Sequence, residues 1–155
     1  MRISFYIRYA AVKTFWFFAK PVRRCYRYFA KPEVRAAKVV VIHGGRVLLV
    51  KPTYGHKRWS FPGGRVKRWE SYAEGARREL WEEAGIKIGA LVFLFQYKAT
   101  GELLRSTVRV FAGRVEDCAF RIDGIEIGEA GWFDLDKLPE HRNSRVDEAL
   151  RHLAR

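Results

Sequence analysis

The sequence predicts a single α/β domain with a basic helical extension at its N-terminus. Three observations predict it. Two strand-like apolar runs meet at His43-Gly44-Gly45, a hairpin signal. A helix-period segment from about Ser71 to Ala84 carries acid on one side and small apolar residues on the other. Residues 1–38 hold ten Lys/Arg against one acid, net +9, whereas the remaining 117 hold twenty bases and sixteen acids, net +4. At 155 residues and 48% apolar, the chain is long enough for one substantial core. Its +13 net charge points to an anionic partner, either nucleic acid or a membrane surface. Cys25 and Cys118 have no paired spacing, which argues against a disulfide scaffold or a zinc site and for a reducing cytoplasm.

The extension comes first. Residues 1–34 form one unit and 35–155 the domain, with Pro32-Glu33 marking the boundary. On a helical wheel Arg2, Lys13, Lys20, Arg24, Arg27 and Lys31 share a narrow arc, and Ile3, Ile7, Phe18, Val22, Cys25 and Phe29 gather opposite. Pro21 interrupts that pattern. No apolar run approaches the roughly 18–20 residues of a bilayer span. Arg8 and Lys13 interrupt any signal-peptide core.

Strands follow. Ala37–Ile42 and Arg46–Lys51 form the hairpin arms. Pro52 to Arg58 reads as a loop, in which Tyr54, His56, Lys57 and Arg58 are candidate phosphate contacts. Trp59 to Gly64 (WSFPGG) is a turn with the glycine freedom to bring backbone close to a ligand. Beyond the acidic helix, which Gly85 ends, Ala90–Ala99 reads as a buried strand and Arg105–Val115 as another, joined at Thr100-Gly101. Ile125 to Ala130 reads as a loop carrying Glu126 and Glu129, followed by a short strand at Gly131–Leu135. A helix over 144–153, capped by Asn143 or Ser144, closes the chain.

The helix at 71–84 carries the chemistry. Glu79, Glu82 and Glu83 stand at i, i+3 and i+4 and so share one face, where like charges repel. A hard divalent cation, which takes several carboxylate oxygens, turns that repulsion into attraction. Tyr72, Ala73, Ala76, Leu80 and Ala84 form the stripe that docks on a core.

The stretch from Gly64 to Ile86 resembles the Nudix box of the Nudix (MutT-like) hydrolases. That pattern is Gly, five residues, Glu, seven residues, then Arg-Glu-aliphatic-any-Glu-Glu-any-Gly-aliphatic. Gly64, Glu70, Arg78, Glu79, Leu80, Glu82, Glu83, Gly85 and Ile86 meet all nine positions. The lead-in Trp59…Pro62-Gly63-Gly64 and the later Glu126…Glu129…Trp132-Phe133 are also similar to the family pattern. The resemblance implies the Nudix fold, an α/β/α sandwich with a mixed β-sheet. It also implies hydrolysis of a nucleoside diphosphate linked to another moiety, with Mg²⁺ or Mn²⁺. Carried over by position, Glu79, Glu82 and Glu83 match metal-binding carboxylates, Gly64 a carbonyl ligand, and Arg78 an arginine orienting the glutamates. Glu126 matches a glutamate that ligates metal or serves as base, and Glu129 competes with it. Glu79 and Glu83 are also candidate bases, and Arg58, Arg65 and Glu129 are candidate substrate contacts. Glu70 reads as a salt-bridge partner of Arg78.

Plainer readings stand beside these. RRELWEE alone is usually a solvated face; it is the spacing from Gly64 and Glu70 that makes it specific. Trp59, Phe61 and Trp132 read as core residues. The extension is open to three readings: packing on its own domain or on a second subunit as a homo-oligomer, a peripheral helix at the inner membrane face, or a nucleic-acid arm. The alternative to an enzyme is a Nudix-fold module that binds nucleotide, RNA or membrane without catalysis; intact box carboxylates argue against it.

Overall fold

A computed structural model describes residues 33–55, 57–100, 105–122 and 124–154. Residues 1–32 of the extension, His56 and the Gly101 turn lie outside these. Five strands and two helices follow one another as β1 (Glu33–His43), β2 (Arg46–Pro52), α1 (Tyr72–Ala84), β3 (Val92–Thr100), β4 (Arg105–Arg114), β5 (Ile127–Asp134) and α2 (Ser144–Leu153). Their spatial order in one sheet is β3-β4-β1-β2-β5. β1 and β4 run parallel, and every other pair is antiparallel. The sheet is therefore mixed.

Local chemistry explains the hairpin. Gly44 and Gly45 both take positive φ (54° and 79°), a combination that closes a two-residue turn with the strands' own twist. β1 begins at Glu33, earlier than the apolar run suggests, because β4 supplies partners from Glu33↔Arg105 to Ile42↔Arg114.

Alternation along β1 divides the core. Ala37, Val39 and Val41 face the α1 side with Leu80, Ala76 and Ala84. Val40 faces the other side with Leu49, Val110 and α2's Val146 and Ala149. Val39, Val40, Val41, Leu80 and Ala149 are wholly excluded from solvent. One helix on each face of a mixed sheet is the expected α/β/α sandwich. Among the described residues, no helix is long and apolar enough to cross a membrane.

Three segments differ from their sequence reading. Ile125–Ala130 is not all loop, for β5 starts at Ile127 and pairs with β2. A register shift at Lys51/Pro52 pairs Lys51 with Glu129 but Pro52 with Ile127, so Gly128 is the extra residue of a bulge. Second, β3 is an edge strand rather than a buried one, with Val92 64% and Phe93 51% exposed. Third, residues 62–66 join the sheet beside the start of β1: Ala37 N–H donates to Gly64 O, Val39 N–H to Pro62 O and Val66 N–H to Arg35 O, each at 2.9 Å.

Candidate active site

α1 is set in place at both ends. Ser71 Oγ accepts from Glu74 N–H (3.2 Å) while Glu74 Oε2 accepts from Ser71 N–H (2.7 Å), a reciprocal capping box. Gly85, at φ 66°, donates its N–H to Trp81 O and ends the helix. With Ala76, Leu80 and Ala84 buried below, Glu79 is held beside Gly64 and Glu83 beside Gly63, while Glu82 meets Arg78.

Arg78 organises that face. Its five N–H groups meet five acceptors: Nε donates to Glu70 Oε1 (2.7 Å), Nη2 to Glu70 Oε2 (3.0 Å) and Arg65 O (2.8 Å), and Nη1 to Glu79 Oε1 and Glu82 Oε2 (both 2.8 Å). A planar guanidinium is the only side chain with the fork for this. Its pKa is raised, chiefly by the hydrogen bond to Glu70. In turn Arg78 holds the Glu70 carboxyl down at about 2. Glu70 is thus the salt-bridge partner anticipated.

Glu83 is fixed separately. Gly63 N–H donates to its Oε2 at 2.7 Å. Burial pushes its carboxyl pKa up, opposed by the Lys38 ammonium and the Gly63 hydrogen bond and reinforced by repulsion from Glu79 and Glu126. That repulsion brings Glu126 within electrostatic reach of the helix cluster. Thr53 N–H donates to the Glu126 carbonyl at 3.0 Å, which ties this residue beside the β5 bulge. Glu129 is drawn elsewhere, to Lys51 Nζ at 2.8 Å. Arg58 is exposed on the loop after β2, and Arg65 is exposed beside Arg78.

Gly64 shows why glycine stands there. A Cβ on it would fall 2.4 Å from Glu79 Oε2, so the carboxylate needs the bare backbone. Gly64 O accepts from Ala37 N–H, and its second lone pair remains.

Lys38 was not singled out by the sequence. Its Nζ donates to Gly63 O at 2.5 Å, so Gly63 carries Glu83 on its N–H and Lys38 on its carbonyl. Burial lowers the ammonium's pKa, while Glu83 and Glu79 act to keep the charge. The available signal was one charged residue inside the apolar run AKVVVI.

The donor set fits a hard divalent cation. Arg78 occupies one oxygen each of Glu79 and Glu82, and Gly63 occupies one of Glu83. The second oxygen of each carboxylate, with the Gly64 carbonyl, makes an all-oxygen set of the kind Mg²⁺ and Mn²⁺ take. Among the described residues, no three Asp, Glu, His or Cys side chains already converge as a closed cage.

Comparison with known proteins identifies the family. The NUDIX domain family model matches residues 32–153. The chain belongs to the Nudix family of hydrolases. It is 32% identical over 110 residues to the NAD-capped RNA hydrolase NudC of Chromobacterium violaceum, covering 70% of this chain but only 41% of that protein. It is 39% identical over 126 residues to the phosphatase NudJ of Escherichia coli, covering 78% of this chain and 82% of that one. The crystal structure of a MutT NUDIX hydrolase from Burkholderia pseudomallei superposes with a TM-score of 0.72 at 23% identity, over 79% of this chain and 98% of the other, which supports the fold.

Proposed function

We propose that this protein hydrolyses the diphosphate linkage of a nucleoside diphosphate derivative, with Mg²⁺ or Mn²⁺ held by Glu79, Glu82, Glu83 and the Gly64 carbonyl. The observation that carries this reading is the division of oxygens just described: three carboxylates are each gripped at one oxygen and present the other. Curated relatives named as hydrolases and phosphatases support the reaction class. The bound cation would neutralise the diphosphate and acidify an attacking water.

The chain's own residues do the rest. Arg78 orients Glu79 and Glu82, and the Gly63 N–H orients Glu83, so each carboxylate starts from a fixed anchor. Glu83 and Glu126 repel each other across the site and form the candidate base pair. Burial raises the Glu83 carboxyl above its ordinary value, the direction that suits proton acceptance. Glu129, ion-paired with Lys51, is the weaker candidate for base. One carboxylate takes the proton as the water oxygen bonds to phosphorus, and the bridging P–O bond breaks with its electrons on the departing phosphate.

The test is a substrate panel (ADP-ribose, dinucleoside polyphosphates, NADH and coenzyme A) assayed with Mg²⁺ or Mn²⁺ and followed by product identification. Glu82→Gln and Glu83→Gln should each lower turnover by at least ~100-fold while the domain stays folded. Near-wild-type hydrolysis by both variants overturns the site assignment.

A further inference from the structure

Lys38 interrupts the apolar centre of β1. Its neighbours Ala37, Val39 and Val40 are wholly buried, and β4 sets the buried Val110 opposite it. An ammonium among such residues costs stability unless acceptors surround it. It makes one hydrogen bond, to Gly63 O at 2.5 Å. The Gly63 backbone lies directly alongside, for a Cβ there would come within 2.9 Å of Lys38 Cα. Glu83 and Glu79 attract the ammonium, yet among the described residues it forms an ion pair with neither. Two of its three N–H groups thus have no acceptor among those residues.

Packing alone would favour methionine here, which has a similar reach and no charge to desolvate. What methionine cannot do is answer negative charge. A divalent cation on Glu79, Glu82 and Glu83 would take up the carboxylate charge that attracts the ammonium. The ammonium then needs another anion, and a diphosphate arriving with the cation brings spare oxygens. Other cations nearby are less suited. All five N–H groups of Arg78 are committed, and Lys51 is paired with Glu129. Arg65 is exposed, where water and salt screen its charge. Lys38 is half-buried and already steadied by a carbonyl, so a contact from it needs little reorganisation.

We infer that Lys38 is a substrate contact, its ammonium donating to a non-bridging oxygen of the diphosphate. This rests on the hydrolase reading above and adds a residue to it. The lysine keeps its protons throughout. It offsets charge on the oxygens around phosphorus, while proton transfer from water stays with the carboxylates. Cation and diphosphate then bind cooperatively, because the cation on the carboxylates frees the ammonium for phosphate.

Methylenediphosphonate, in which CH₂ replaces the bridging oxygen and blocks hydrolysis, is the probe. It is titrated by calorimetry into the full chain at saturating Mn²⁺, and Mn²⁺ binding alone is read by electron paramagnetic resonance. Lys38→Met should weaken the probe about tenfold or more, the loss of one charge-assisted hydrogen bond. Its Mn²⁺ affinity should be unchanged or tighter, since a neighbouring positive charge is gone, and its Tm unchanged or higher. Lys38→Arg, which keeps the charge, should recover part of the probe affinity. Wild-type affinity for the probe in Lys38→Met overturns the inference, as does a wild type that does not bind the probe. A parallel loss of Mn²⁺ affinity and Tm in Lys38→Met also overturns it, for the lysine then only braces Gly63. If the wild type binds the probe through Lys38 yet hydrolyses none of the substrate panel, the contact stands and only the hydrolase reading falls.

Discussion

Arg78 has no spare donor. Each N–H is committed, and two of the five acceptors belong to the carboxylates that face the site. Lysine at this position keeps the charge but offers three donors from one point, so it cannot hold Glu70, Glu79, Glu82 and the Arg65 carbonyl together. Arg78→Lys should cost roughly 10–100-fold in kcat, measured at saturating divalent cation. The partner Glu70 gives a pH signature. Its carboxyl is held at about 2, below the ordinary 4.5, first by the hydrogen bond from Arg78. A depressed carboxylate contributes stability that is complete above its unfolded pKa and disappears as pH falls through the folded one. Wild type should therefore exceed Glu70→Gln in Tm at pH 7, with the gap closing between about pH 4.5 and pH 2. A gap that does not change over that range contradicts the ion-pair account.

Among the elements, α1 depends on its buried stripe. Leu80 is completely buried against Val39 and Val41, and Leu80→Ala should destabilise the domain by about 2–5 kcal/mol in denaturant unfolding. Removing the N-terminal cap with Ser71→Ala should cost about 1 kcal/mol. This helix was legible in the sequence almost to its ends, because its period, its acid spacing and Gly85 are all local signals. α2 was legible for the same reason: Asn143 Oδ1 accepts from Arg145 N–H at 2.9 Å as its cap. β5 was not. Gly128 and Gly131 break the alternation that marks a strand, and the pairing with β2 that makes it one is tertiary. Lys38 escaped for a related reason. A charge in an apolar strand reads as an outward residue until the Gly63 carbonyl is placed beside it.

For the molecule as a whole, the two-layer core follows from β1 lying inside the sheet with helices on either face. The parallel pairing of β1 with β4 creates that position, and no neighbouring residues in the sequence announce it. Its amides should be the last to open. Hydrogen exchange at Val39, Val40 and Val41 should proceed only through global unfolding, while amides on the outer side of β3 exchange faster by local opening. Comparable protection in both strands would mean that the β3 edge is covered in solution. The charge distribution also belongs at this scale. Arg35, Arg65, Lys67, Arg68 and Arg78 line one cleft together with Glu33 and Glu79, so the charge there is basic on balance.

The divided carboxylates have a consequence for how this site responds to isosteric change. Glutamine has the shape of glutamate, but its two terminal atoms have opposite roles: one only accepts hydrogen bonds and the other only donates. At position 79 or 82 the accepting oxygen is claimed by Arg78, since an amide NH₂ set against the guanidinium would place donor against donor. The NH₂ is then compelled to face the site. Substitution by glutamine therefore does more than subtract a charge, for it reverses the polarity of the one atom the site presents. Aspartate would keep the polarity and lose reach instead. The two replacements thus separate the sign of the site-facing atom from its position.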